Sequence, residues 1–223
     1  MEAGLAFGAR LTRLVELRGV DVGVLARRAN VAEAAVVSVL GGGKPEPLLL
    51  RRLASALGLH RSDLFVVAGR EVPEDLAPLD AAAAGVIGLL AWSLTYLPGV
   101  VPQLRQLVRS LPQQPRPPGP SAPAPSYQRY PSGAGGLVLR LVHNRNLDWV
   151  GSAKYLFGLG RGEVLSASTI GMIGHGRKEL TPDLLAGFAA FLDISLLDLS
   201  ALTGVDLPGP GRPVPRTRPR PPH

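Results

Sequence analysis

The sequence predicts an all-α protein of two small five-helix domains in tandem, joined by an apolar helical segment and a Pro-rich linker. Three observations predict this. Short stretches with apolar residues at helical spacing alternate with single turn residues. The same ordered set of stretches recurs in the second half of the 223-residue chain. Two Pro-rich segments, 112–134 and 208–223, bracket the second set. The organisation that follows is a first domain over 5–70, an apolar helical segment over 71–111, a linker over 112–134, a second domain over 135–207 and a Pro/Arg tail over 208–223.

In the first unit, Leu11, Leu14 and Leu17 repeat at three-residue spacing and give a first helix one apolar face; Gly19 ends it. Asp21 is placed to cap a second helix, Val22–Ala29. Asn30 suits a left-handed turn. A third helix runs over about 32–40 and stops at Gly41, Gly42 and Gly43. Pro47 opens a fourth, with Leu49, Leu50, Leu53 and Leu57 on its apolar side. A fifth starts at Ser62 and Asp63 and ends near Gly69.

The second unit repeats these landmarks. Arg18 and Asp21 align with Arg145 and Asp148, and Ala26 with Ala153. About seven extra residues fall within 155–165, where Gly158, Gly160 and Gly162 suggest a loop or short hairpin rather than a phosphate cradle, for which strand and lysine are missing. The match then resumes: Val36, Val39 and Gly42 against Ile170, Ile173 and Gly176, then Leu57, Asp63, Leu64 and Gly69 against Leu192, Asp198, Leu199 and Gly204.

Between unit one and the linker, 81–104 holds 24 uncharged residues. That length just spans a bilayer. Four alanines, Gly85, Gly88, Ser93, Thr95 and Pro98 keep the hydropathy modest and argue against a span. The expectation is a helical hairpin that packs on the first domain or, through Leu89, Leu90, Trp92 and Tyr96 within 81–101, on a second copy of the chain.

The chain is 46% apolar and 18% charged and contains no cysteine, which excludes disulfides and thiolate chemistry. No secretory signal pattern opens the sequence, so a cytoplasmic location is expected. The net charge of +7 favours polyanions. It is uneven: residues 1–70 hold ten basic and six acidic groups, residues 136–207 six and seven, and the tail four arginines with no acid. His60, His143, His175 and His223 lack ligand spacing, and His143 with Asp148 reads as a helix-end contact; neither an enzyme, a cofactor nor a metal site is expected.

The ordered set Arg18-Gly19, Leu25-Ala26, Val31, Val36, Val39, Gly42, Leu53-Ala54, Leu57-Gly58 resembles the lambda-repressor-like (XRE) helix-turn-helix family. The second unit is similar through Ser166, Ser168-Thr169-Ile170, Ile173, Gly176-Arg177-Lys178, Thr181-Pro182 and Phe188-Ala189. The resemblance implies a double-stranded DNA partner, transcription regulation and a place on the nucleoid when bound. It also implies that the third helix enters the major groove while flanking residues grip phosphates.

Carried onto this chain, the resemblance makes Ser166, Ser168, Thr169 and Met172 the candidate base-reading residues of unit two. His175, Arg177, Lys178 and Lys154 are its candidate phosphate contacts. Ser166 and Thr169 also fit plain capping, and Arg177 and Lys178 a solvated turn. Unit one departs from the family. Valine stands at Val22, where a glutamine usually holds a phosphate. Its third helix offers only Glu33 and Ser38 among alanines and valines. Arg27, Arg28 and Lys44, with Arg51 and Arg52, could hold phosphates without reading sequence. The expectation is a transcriptional regulator whose second domain reads DNA. The alternative is a protein-interaction or oligomerisation module on a degenerate helix-turn-helix scaffold. With such a linker the two units need not act as one rigid reader.

Overall fold

The computed structural model describes residues 6–77, 83–112, 129–159 and 165–208. These contain twelve α-helices and one 3-10 turn, with no strand among the described residues. The fold is all-α.

Five helices make the first unit: α1 (Phe7–Leu17), α2 (Val22–Ala29), α3 (Glu33–Leu40), α4 (Pro47–Ala56) and α5 (Arg61–Val67). The local chemistry explains their ends. Asp21 accepts hydrogen bonds from the Gly23 and Val24 N–H groups and starts α2. Asn30 adopts φ 53° and stops it. Leu11, Leu14, Leu25, Val36, Leu50, Leu53 and Leu64 are fully buried. Leu17 is not part of this face and is 44% exposed. Six residues at about 100° each carry Leu17 roughly 120° away from Leu11 around the helix, and Val15 takes the core place instead.

The second unit comprises α8 (Ala134–His143), α9 (Trp149–Gly158), α10 (Ala167–Gly174), α11 (Pro182–Leu192) and α12 (Leu196–Thr203). Side chains cap four of these five helices where they begin: Asp148, Ser166, Thr181 and Ser195. The extra residues first lengthen α9 to Gly158; residues 160–164 lie outside the described residues.

The end of the linker is part of the fold. Residues 113–128 and 209–223, which hold most of the linker and the tail, lie outside the described residues. Tyr130 packs against the core and accepts a 2.7 Å hydrogen bond from Trp149 Nε1 on its hydroxyl. Arg140 donates to the carbonyls of Tyr130 and Pro131 at 3.1 and 3.3 Å.

The apolar segment forms α6 (Ala83–Thr95), a 3-10 turn (Pro98–Val100) and α7 (Val101–Ser110). Contrary to expectation, α6 does not pack on the first unit. It lies along α9 of the second. The reason is small residues at matching seven-residue steps. A Cβ on Gly88 would stand 3.2 Å from the Gly151 Cα, and one on Gly158 would strike the Thr95 side chain. Only glycine permits so close a crossing. No single described helix is long and apolar enough to cross a membrane. On the outer side of α6, Val86, Leu89 and Leu90 stay exposed.

The two units are not independent. One buried apolar cluster runs through both. α1 of the first unit packs on α12 of the second, and α8 of the second packs on α5 of the first. Because α1 and α8, and α5 and α12, are equivalent in the repeat, this is one contact made twice. Its polar part is reciprocal too. Arg18 follows α1, grips Asp198 of α12 with two hydrogen bonds of 2.9 and 2.8 Å, and donates to the Leu57 carbonyl at 2.6 Å. Arg145, two residues beyond α8, pairs with Asp63 of α5 and donates to the Leu192 carbonyl at 2.8 Å. Asn144 adds a 3.1 Å bond to Asp63. Each arginine therefore ties the end of its own unit's fourth helix to the fifth helix of the other unit. The carbonyls at a helix C-terminus and the carboxylates in a first helical turn are the favourable ends for these charges.

The two pairs differ in burial. The Asp63 side chain is 2% exposed and that of Asp198 14%. Nearby, Arg10 is 5% exposed, its Nε has no hydrogen-bond partner, and burial together with the Arg140 charge lowers its pKa. Among the described residues Arg10 thus keeps one buried N–H without a partner.

Two outcomes are expected. Arg145→Ala leaves the Asp63 carboxylate buried and unpaired, and should cost about 3–5 kcal/mol in denaturant unfolding. A cost within error of an exposed Arg→Ala change would contradict the reading. For Asp198, the Arg18 hydrogen bond holds the carboxyl below its ordinary pKa, helped by Ser195 against the effect of burial. A carboxyl depressed in the folded state stabilises above the unfolded value, about 4, and loses that contribution as pH falls through the folded one. The Tm difference between wild type and Asp198→Asn should therefore be largest near neutrality and shrink below about pH 4.

Candidate nucleic-acid interface

The candidate surface of unit two is built on α10. Ser166 caps the helix by accepting from the Thr169 N–H at 3.1 Å. Its hydroxyl also lies 2.7 Å from Ser168 Oγ and 2.9 Å from Thr169 Oγ1, so three hydroxyls gather at the helix start. Ile170 and Ile173 are fully buried and hold the opposite face. Ser168 and Met172 point outward one turn apart, Met172 40% exposed. Gly171 allows α10 to sit on Trp149: a Cβ there would come within 2.7 Å of the indole ring.

At the far end, Gly176 turns the chain with φ 68°. The backbone N–H groups of Arg177 and Lys178 donate to the Met172 carbonyl at 2.8 and 3.2 Å. This closes the helix and places the exposed Arg177 and the half-buried Lys178 immediately after it. Hydroxyls, an apolar tip and two cations thus share one element and its turn.

Two further candidates lie against aromatic rings. His175 is half-buried, with its ring centroid 5.2 Å from that of Tyr130 and 6.2 Å from that of Trp149. It belongs to an aromatic cluster that holds the end of α10 against α9 and the segment before α8, because a helix end flanked by two rings offers stacking in place of solvent. Lys154 holds its ammonium 5.9 Å over the Trp92 ring of α6. It faces the α6 flank rather than the α10 edge. Trp149, which touches α10, and Gly151, which touches α6, point about 200° apart on α9. The apolar helix therefore packs away from α10.

In unit one, Ala32 stands at the N-cap of α3 with no side-chain cap. Val36 and Val39 are buried, while Glu33, Ala34, Val37 and Ser38 are exposed, Val37 by 53%. The Glu33 carboxylate turns toward the start of α2, within 3.1 Å of where a Cβ on Gly23 would lie. Arg27, Arg28 and Lys44 remain exposed. The other two basic candidates are occupied. Arg51 makes a bidentate pair with Asp75 at 2.8 and 2.7 Å, and Arg52 donates to the Asn30 carbonyl at 2.6 Å.

Sequence reasoning missed Tyr130 and Trp149 as supports of α10. Tyr130 lay inside a Pro-rich stretch, and no local pattern links it to a tryptophan nineteen residues on. Asp148 accepts from the Gly151 N–H at 2.6 Å and caps α9, and burial lowers the pKa of His143. Among the described residues no three His, Asp or Glu side chains gather as metal ligands would.

No protein-family model, curated protein or solved structure matches the chain.

Proposed function

We propose that this chain is a DNA-binding transcriptional regulator of the lambda-repressor-like helix-turn-helix type, acting in the cytoplasm on the nucleoid, with its second unit the base reader. One observation carries the reading: the polar and cationic side chains around α10 lie together on the outward edge of a helix whose other face is locked into the core. Such a helix can enter the major groove without rearranging. Ser168 and Thr169 supply hydroxyls to base edges, and Met172 supplies an apolar contact to a thymine methyl. Arg177 and Lys178 follow at the turn, where phosphate contacts hold register.

Charge supports a division of labour. The second unit is close to neutral and depends on these local cations. The first has an excess of basic groups, of which Arg27, Arg28 and Lys44 are exposed. It adds attraction through counterion release. One observation favours a second reading for unit one. Ala34 and Val37 of α3, Val37 at 53%, expose apolar side chains where a reader would carry polar groups. That surface suits a protein contact.

Arg177→Ala with Lys178→Ala should weaken binding to a selected DNA site and flatten the dependence of log affinity on log salt by about one unit for each phosphate no longer neutralised. A gel-shift titration measures both. Unchanged affinity and slope contradict the reading. Failure of the whole chain to enrich any sequence from a random library favours the protein-contact alternative.

A further inference from the structure

We infer that one copy of this chain reads a two-part DNA site by itself, with two unlike half-sites in inverted orientation at a fixed spacing. The inference rests on the DNA-binding reading above and adds how the two units share the site.

The contacts between units obey a pseudo-two-fold rule. Arg18 to Asp198 is answered by Arg145 to Asp63, Arg18 to the Leu57 carbonyl by Arg145 to the Leu192 carbonyl, and α1 on α12 by α8 on α5. Every partner occupies the equivalent position of the other repeat. An interface in which residue i meets j and j meets i is what a two-fold dimer makes. Here both halves of that dimer belong to one chain. The same operation relates α3 to α10. Paired third helices related by a two-fold read inverted half-sites whose separation the protein fixes.

Three further observations shape the inference. The interface is built from first and fifth helices, and the outward residues of α3 and α10 remain exposed. The self-complementary patch is already filled within the chain, so a second copy is not required to complete a pair. The two outward faces differ in chemistry. α10 offers Ser168, Thr169 and Met172. α3 offers the methyls of Ala34 and Val37 and the one hydroxyl of Ser38, with the Glu33 carboxylate turned toward α2; such a face can meet thymine methyls and make one unselective hydrogen bond. The site should therefore contain one sharply specified half and one degenerate, thymine-tolerant half.

The test uses the full chain and DNA selected by it from a random library. Hydroxyl-radical footprinting should show two protected patches on one face of the duplex, about 10–10.5 base pairs apart or a whole multiple of that. Titration at concentrations well above Kd should give one chain per site. Inserting five base pairs between the patches turns one half-site to the opposite face and should weaken binding at least about tenfold, because the rigid pair can no longer engage both. A single patch, two chains per site, or indifference to the insertion would overturn the inference, and in the single-patch case the second unit would still stand as a reader. Absence of any DNA binding would overturn the proposed function and this inference with it.

Discussion

Two arginines, each lying at or just beyond the end of its unit's first helix, hold the two halves of this chain in one arrangement. Arg18 and Arg145 each bind a carbonyl in their own unit and an aspartate in the other. Such a staple does two things at once. Within a unit it joins the end of the first helix to the end of the fourth, and between units it fixes the fifth helix. The energetic weight is unequal, since Asp63 is buried and Asp198 partly wet. A buried pair is worth little over apolar packing, yet costs much when one member is removed. The pairs therefore specify this docking more than they stabilise it, while the continuous apolar cluster beneath supplies the driving force.

Around that fixed centre, the elements differ in what they leave exposed. The second unit is buttressed by rings of Tyr130, Trp149 and His175 beneath α10, and by α6 along the outer flank of α9. Its outward edge is polar. The first unit lacks such buttresses, its third helix starts without a side-chain cap, and its outward edge is apolar. The same scaffold thus presents two surfaces of unlike chemistry, and the interface holds them in one relation.

Much of this was legible in the sequence. The caps Asp21 and Ser166, the left-handed Asn30, the Pro47 start of α4 and the boundaries of α2 are local decisions by side chain and backbone, and they fall where spacing put them. Arg18, Arg145, Asp63 and Asp198 were visible as repeated positions, but not as partners. Their pairings cross 180 and 82 residues, and no periodicity encodes a contact between two repeats. The linker's composition left open whether the units act as one rigid body; the docking is decided by surfaces far from it. The same blindness misplaced α6: its apolar length was plain, but the Gly88 and Gly151 crossing depends on two glycines in different segments. At the candidate site, residue types around α10 were legible. The half-burial of His175 beside two rings and the turn of the exposed Lys154 toward Trp92 were not, because each depends on an aromatic partner from another element.

The two units form one body, and the absence of native cysteine makes a direct measurement of this clean. Ser55 on α4 and Ala190 on α11 are exposed and equivalent in the repeat. Spin labels attached through Ser55→Cys and Ala190→Cys would report the distance between units by pulsed electron resonance. One narrow distance distribution, broadened in the same pair carrying Arg145→Ala, is the expected result. A broad distribution in the otherwise unaltered chain would show two units moving independently on their linker and would contradict the account.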